Sequence, residues 1–423
     1  MVEVLKQNLK KLYSTGALHV TIGTFATKFV AFFGSIVVVR LLTKTEYGLM
    51  SYVENIYSYA LIFAALGLSN AILRYLVIVE NQYEKKQYFG YIMKHSVIRN
   101  IIIMIIICFV SQFIKYPDNY ADAKYLLPIV ALLLPFQDLV NDDLYTLRSF
   151  FENKLYAYVS FLVSITLILG RILGAVCDGV NGVLWSRVII NFLFGTLGYI
   201  FIKRKYFCEG KVDRLPRKSR KLVNIYSFQY MITNGFWALF MLNDTFLLGL
   251  LLNDPSGLAE YKVACVLPGN ISIFATAIGV FVAPYFTKNE QNSNWVKSNF
   301  KKVYLLSVGT VGAVSLGIGA FATPLIEFMY GEQYLNIVGL MRVLLLAAFI
   351  NSGLRYTTAN ILAAMGKVKY NMIISGIGII VQIILDIILI PRLGIIAGAL
   401  SNCIVFTIMS ILLMCVYKNI LQE

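Results

Sequence analysis

The chain has 423 residues, 58% of them hydrophobic and 14% charged, with a mean hydropathy of +0.72, a balance that excludes a soluble globular domain and defines a polytopic, all-α membrane protein. A formal net charge of +15 does not point to nucleic acid, because the basic residues fall in short runs between apolar segments and form neither a tail nor a recognition helix. The cysteines Cys108, Cys177, Cys208, Cys265, Cys403 and Cys415 stand apart without a Cys-x-x-Cys pair and read as small core residues, which supports neither a thiol metal site nor a disulfide framework.

The first apolar run, 18 to 40, is too long for a cleavable signal peptide and lacks a small-residue cleavage site. It carries Lys28 near its middle. A cation at the centre of an isolated membrane helix costs about 2.5 to 3.5 kcal/mol, so something must offset it. Thr21, Thr24, Lys28, Ala31 and Ser35 recur at helical spacing as a small, polar stripe, while Phe29, Val30, Phe33, Ile36 and Val37 fill other faces. The stripe is expected to face helices or water.

Hydropathy then predicts eleven further spanning segments: 47 to 73, 89 to 114, 123 to 147, 155 to 177, 182 to 202, 223 to 250, 257 to 286, 301 to 322, 334 to 363, 370 to 390 and 394 to 417. Pro128, Pro135, Pro268 and Gly269 predict kinks or tilt within them. With an N-terminus in the cytoplasm, and with basic residues at segment ends assigned to the adjoining connection, the inner connections and termini hold 25 of the 37 Lys and Arg, the outer connections five and the helices seven. The positive-inside rule therefore places both termini in the cytoplasm. The longest polar stretch, Lys203 to Lys221, contributes nine of these and divides the helices six and six. Its plain role is topogenic charge with attraction for anionic membrane lipids. The expected organisation is a six-helix bundle over 1–205, a basic cytoplasmic linker over 206–222 and a second six-helix bundle over 223–423.

An internal repeat supports that division. Leu41-Leu42, a loop and Gly48-Leu49-Met50-Ser51-Tyr52 are echoed by Leu251-Leu252, a loop and Gly257-Leu258-Ala259-Glu260-Tyr261. Tyr125-Leu126 matches Tyr334-Leu335, and Gly182-Val183-Leu184 matches Gly398-Ala399-Leu400, in the same order. An even number of helices per half gives both copies one orientation, related by a pseudo-twofold axis along the membrane normal, with a central cavity between them.

The pattern Arg40-Leu-Leu-Thr-Lys-Thr-Glu46-Tyr47-Gly48, then Leu66-Gly67-Leu68-Ser-Asn-Ala71-Ile72-Leu-Arg74-Tyr75, resembles the first helical hairpin of bacterial polysaccharide and O-antigen flippases, in the multidrug, oligosaccharidyl-lipid and polysaccharide exporter superfamily. Asn243-Asp244-Thr-Phe-Leu-Leu-Gly249, Phe328-Met-Tyr330-Gly331-Glu-Gln-Tyr334, Ala364-Met-Gly366-Lys367 and Leu385-Asp386-Ile-Ile-Leu389-Ile-Pro391-Arg-Leu-Gly394-Ile-Ile-Ala397-Gly398-Ala extend the likeness along the chain. The resemblance implies a flippase that moves a polyprenyl-diphosphate-linked oligosaccharide from the cytoplasmic to the outer leaflet by alternating access. That cargo would be an undecaprenyl-diphosphate-linked glycan for O-antigen, lipopolysaccharide or another surface polysaccharide. The setting implied is the bacterial inner membrane, alongside other polysaccharide assembly proteins. Lipid II flippases of the superfamily usually carry two extra helices, absent among the segments predicted here.

Seven cations lie within segments: Lys28, Arg99, Arg171, Arg187, Lys262, Arg342 and Arg355. At about 2.5 to 3.5 kcal/mol each they cannot all face lipid at mid-membrane. Arg171, Arg187, Lys262 and Arg342 stand close enough to predicted outer ends to snorkel, whereas Lys28 and Arg355 are deeper and expected to face an aqueous cavity. Asn351 and Thr358 share the face of Arg355. Tyr226, Tyr230, Thr233, Trp237 and Asp244 form an aromatic and acceptor stripe on the seventh segment, a surface that suits sugars as well as it suits helix packing. The expected substrate-binding set is Lys28, Arg355, Arg99, Arg171, Arg187, Lys262, Arg342, Trp237 and Asn351. Lys and Arg supply charge and donors for diphosphate oxygens, and carrying two negative charges out of an inside-negative cell releases about 4 to 5 kcal/mol per 100 mV.

No cofactor is expected. Coupling to H+ or Na+ through Asp244, Asp386, Glu54 or Asp138 is open, and Asp244 is also a candidate charge partner of Lys28. Two other functions compete with the flippase: a cation-coupled small-molecule antiporter, which calls for a more acidic cavity, and an integral-membrane glycosyltransferase or polymerase, which calls for a large outer loop or a catalytic cluster at one interface. His19 and His95 are lone histidines suited to packing. No phosphate-binding glycine motif stands in a soluble setting.

Overall fold

The first predicted segment forms α1 (Ala17–Leu41), which stops at Leu42 because Thr43 caps the helix that follows. The Thr43 hydroxyl accepts from the Glu46 amide and Glu46 returns a carboxylate to the Thr43 amide, so the short polar connection satisfies both donors that the next helix would orphan. The computed structural model describes residues 17–207 and 213–420, which are helical, with no strand among them. The next helices are α2 (Lys44–Ile62), a 3-10 turn over Ala64–Gly67, α3 (Leu68–Ile78), α4 (Gln82–Val110), α5 (Ala123–Ser149) and α6 (Asn153–Tyr206). They continue with α7 (Arg217–Leu252), α8 (Pro255–Asn270), α9 (Ser272–Lys288), α10 (Ser293–Ala320) and α11 (Ala322–Tyr330). The last are α12 (Val338–Phe349), a π-helical stretch over Ile350–Tyr356, α13 (Thr357–Ala364), α14 (Val368–Leu393) and α15 (Ile396–Ile420). Each predicted segment falls on one of these helices or helix pairs. Among the described residues, nine helical stretches are long and apolar enough to cross a membrane.

Asn153–Tyr206 contains two of the predicted segments. Asp178 and Gly179 leave helical geometry, with Gly179 at φ +51°. The chain turns back there: a Cβ on Gly174 would meet the Gly182 carbonyl and one on Gly170 would meet Ile190, so the two arms pack antiparallel through glycine backbones. α1 lies against the first arm through small residues as well. Gly23 faces Ala157, Gly34 faces Ile168, and Ser164 donates to the Thr27 carbonyl at 3.4 Å.

The chain divides into two units, Met1–Leu239 and Phe240–Glu423. The division falls within α7 at 239/240, so the first half of that helix goes with the first unit; of the expected linker over 206–222, residues 208–212, including Cys208, lie outside the described residues. The first unit has a core of Leu68, Ile72, Leu76, Phe89 and Ile92, with Phe89 stacked on Phe207 at 4.4 Å. At its edge Glu152 accepts from Lys205 and Tyr206 at 3.0 Å, and those hydrogen bonds hold its carboxyl below the usual carboxylate range. The second unit is built on Phe240, Phe286, Phe300, Phe406 and Tyr417, with Phe300 and Tyr417 stacked at 3.8 Å. In both units the second predicted segment is interrupted, at Ala64–Gly67 in the first and at Ile271 in the second.

Candidate functional site

In the first unit, three consecutive residues take left-handed dihedrals: Ala65 (φ +46°), Leu66 (φ +51°) and Gly67 (φ +79°). Non-glycine residues there cost about 1 to 3 kcal/mol each and persist only where neighbours hold them. The neighbours are on α4. The Ala65 amide donates to Asn100 Oδ1 at 2.6 Å, and Arg99 reaches the Ala65 carbonyl at 3.5 Å while donating to Asn224 Oδ1 at 2.8 Å. Asn224 donates in turn to the Tyr91 hydroxyl at 2.9 Å. Arg99, expected to bind substrate, is thus engaged within its own unit.

The same network leads to buried carboxylates. Asp138 accepts from Asn100 at 2.5 Å, from the Ser69 hydroxyl at 2.9 Å and from the Ser96 hydroxyl at 3.0 Å, and Ser96 also reaches Asp142 at 2.9 Å. Asp142 Oδ1 and both oxygens of Asp143 are buried without a hydrogen-bond partner. Asp138 opens on a cavity of about 350 Å3 lined by Ser58, Asn70, Gln137, Asn141, Tyr145 and Tyr230, among others. Such a site can take up a proton or a hard cation, because a buried carboxylate with vacant oxygens is costly in its bare charged form. Asp142 and Asp143 were not among the sequence candidates, though their i+4 and i+5 spacing from Asp138 in an apolar helix was a readable signal.

Glu54 gathers two of the expected snorkelling residues. Arg187 bonds its carboxylate at 2.5 Å and Arg171 approaches to 3.9 Å. The cluster is part-buried and carries one more positive than negative charge. Lys28 is different. It is exposed and, among the described residues, has no hydrogen-bond or ion-pair partner. Gly23, Thr27 and Gly34 mark the seam of α1 against α6, and Lys28 stands about 120° round the helix from it at 3.6 residues per turn. Ala31 and Ser35 share the Lys28 side, with the Ser35 hydroxyl returned to the Phe32 carbonyl at 2.7 Å.

In the second unit, Asp244 accepts from Tyr261 at 2.5 Å, from Asn402 at 3.1 Å and from the Thr245 amide at 2.8 Å. Gly398 makes room for the Tyr261 ring, since a Cβ there would stand 3.1 Å from it. Gln382 donates to Asn402 at 3.2 Å, while Gln382 Oε1, the Ser401 hydroxyl and both oxygens of the fully buried Asp386 have no hydrogen-bond partner. This oxygen-rich group has the donor chemistry for a proton or a hard monovalent cation. Among the described residues no group of three or more His, Cys, Asp or Glu side chains is placed to hold a metal ion. Tyr261, Gln382 and Asn402 join a site from which the sequence had singled out only Asp244 and Asp386.

Arg355, within the π-helical stretch, is 7% exposed; it donates to Asn351 at 2.6 Å and lies 5.9 Å over the Phe406 ring. In this conformation the guanidinium is held by its own unit. Arg342 is exposed and reaches the Gly319 carbonyl at 3.2 Å, and Lys262 is half-buried. The expected aromatic stripe of α7 splits: Tyr226 and Tyr230 belong to the first unit, with Arg74 4.7 Å over the Tyr226 ring, and Asp244 to the second. The side chains of Thr233 and Trp237 lie outside the described residues.

Kinked apolar helices enclosing buried carboxylates and intramembrane cations are the construction of a multi-pass membrane protein. A family model described as polysaccharide biosynthesis protein matches residues 37–339. The chain belongs to that family. It is 25% identical over 405 residues to an uncharacterised membrane protein of Methanocaldococcus jannaschii, covering 86% of this chain and 76% of that protein. Its fold is similar to that of the lipid II flippase MurJ in an inward closed conformation, with TM-score 0.74, 17% identity and coverage of 94% of this chain and 87% of that one. It is similar too to an outward-facing MATE family multidrug resistance transporter of the MOP superfamily (TM-score 0.61, 15% identity, 97% and 96% covered). A point mutant of the Vibrio cholerae MATE transporter VcmN matches at TM-score 0.61, 13% identity and 97% and 100% coverage. The chain thus belongs to the polysaccharide biosynthesis family and shares its fold with these transporters.

Proposed function

We propose that this protein flips a polyprenyl-diphosphate-linked oligosaccharide, an O-antigen or other surface-polysaccharide repeat unit, from the cytoplasmic to the outer leaflet of the inner membrane by alternating access. The observation that carries the reading is Lys28, an exposed lysine without a partner among the described residues, in the middle of α1, an apolar helix whose sequence predicts a membrane span, in a polysaccharide biosynthesis family member. A fixed ammonium there has a use when the cargo head is a diphosphate or an acidic sugar. The fold likeness to a lipid II flippase supports a lipid-linked cargo. The buried acidic groups at Asp138 and at Asp244/Asp386 supply places for a coupling proton or sodium ion, and that same chemistry favours the one competing reading, a cation-coupled small-molecule antiporter.

Deleting the gene separates the two. Extraction of the membrane lipids should show a lipid-linked oligosaccharide accumulating; an unchanged glycolipid profile with increased sensitivity to a small toxic compound would select the antiporter. Sidedness is tested independently. Gln291 is exposed beside Asn292, in the connection between α9 and α10. With the native cysteines replaced, Gln291→Cys should react with a membrane-impermeant maleimide in inverted vesicles and not in intact cells. Labelling from outside would invert the topology.

A further inference from the structure

We infer that the first unit carries a second anion site, separate from Lys28, which takes the phosphate or diphosphate of a membrane lipid at the end of α4. A cavity of about 380 Å3 lies there, lined by Lys86, Gly90, Lys94 and His95 of α4 and by Arg214 and Arg220 of the segment entering α7. Among the described residues the one carboxylate at its wall, Asp213, accepts from the Tyr83 hydroxyl at 2.8 Å. Arg220 is anchored by its Nε on the Leu215 carbonyl. Among the described residues Lys94 and Arg214 have neither a hydrogen-bond nor an ion-pair partner. Cations gathered round one depression repel one another and raise the local concentration of anions.

The shape argues for a ligand as strongly as the charge. Lys86, Gly90 and Lys94 follow at i, i+4 and i+8 on one helix face, so the two lysines stand about 12 Å apart along the axis with the glycine as a notch between them. Gly90 has no conformational reason to be glycine. It sits in regular helix without a positive φ, and a Cβ placed on it would meet nothing within 4 Å. Glycine in a helix interior is a stability cost relative to alanine, so what it provides here is open space between two ammonium groups. A phosphate fits that space with its oxygens toward Lys86, Lys94 and the facing guanidinium of Arg214. His95, whose Nδ1 is hydrogen-bonded to the Tyr91 carbonyl at 2.8 Å, lines the same depression.

Two sources share this chemistry: an anionic phospholipid headgroup and the diphosphate head of a polyprenyl-linked cargo awaiting entry. Only the second rests on the flippase reading. The test is native mass spectrometry of the full chain in detergent, titrated in turn with phosphatidylglycerol, phosphatidylcholine and farnesyl diphosphate. Gly90→Trp fills the notch without altering charge; the double variant Lys94→Gln, Arg214→Gln removes charge without filling it; Gly90→Ala is the control. The expected result is binding about tenfold weaker in both the filled and the discharged protein, for phosphatidylglycerol, for farnesyl diphosphate or for both, with Gly90→Ala and phosphatidylcholine unaffected. Loss confined to phosphatidylglycerol assigns the site to a lipid headgroup, and loss confined to farnesyl diphosphate assigns it to the cargo. Unchanged binding of both anionic lipids, or an equal loss for phosphatidylcholine, overturns the site. Should Gly90→Trp fail to fold, the discharged double variant decides alone. If the site holds and gene deletion leaves glycolipids untouched, the flippase reading falls without it.

Discussion

On the proposed flippase function, Lys28→Ala should abolish export of the lipid-linked glycan while leaving the protein at normal abundance, and Lys28→Arg should retain part of it. The expectation follows from what the side chain does not do. Lys28 is exposed, without a partner among the described residues, and away from the seam where Gly23, Thr27 and Gly34 meet α6. Removing it breaks no contact that holds the fold, and removes a charge whose burial in a membrane costs about 2.5 to 3.5 kcal/mol. A structural role would make Lys28→Ala unstable; a role toward an anionic cargo makes it stable and inactive. Arginine keeps the charge but presents a planar fork in place of a compact ammonium, so it substitutes in part. Immunoblotting of membranes together with surface-glycan staining reads both quantities, and full export by Lys28→Ala removes Lys28 from the site.

Gly67→Val costs the folded protein about 2 to 5 kcal/mol: the left-handed conformation alone costs a residue with a side chain about 1 to 2 kcal/mol, and overpacking adds about 1 to 3 kcal/mol. A Cβ at this position would stand 2.3 Å from the Ser227 carbonyl oxygen and 3.1 Å from its carbon, with φ at +79°. Relief would require the first half of α7 to move off the turn, which frees Arg99 from Asn224. Thermal unfolding in detergent, followed by size-exclusion fluorescence, should register a lowered midpoint and reduced yield. A wild-type midpoint would show that the left-handed turn is not held as described.

The helices were readable because a membrane span announces itself by length and hydropathy, and the Gly-rich reversal at Asp178–Gly179 fell between two segments already separated. The partners of the cations were not readable. Arg171 and Arg187 looked alike as residues near helix ends; what distinguishes them is Glu54, more than a hundred positions earlier in the chain. Arg99 looked like a cargo ligand because its need for a partner was visible and Asn224 was not. The turn at Ala65–Gly67 was hidden for another reason. Ala-Ala-Leu is good helix sequence, and only its three-dimensional neighbours force it left-handed. The acidic group in the second unit was half visible: Asp244 and Asp386 stand out as charges, while Tyr261, Gln382 and Asn402 are ordinary membrane-helix polar residues until the fold converges them.

The stretch Ile350–Tyr356 adds a consequence of its own. A π turn closes on i+5 where an α turn closes on i+4, so it stores one residue more than the helix on either side. Everything after it is rotated by about 100° from where an unbroken α-helix would put it. Thr357, whose hydroxyl donates to Ser307 at 2.7 Å, owes that partner to the stored residue. The polar face of this segment is therefore a phase, set by whether the extra residue is kept, and Arg355 sits where the phase changes.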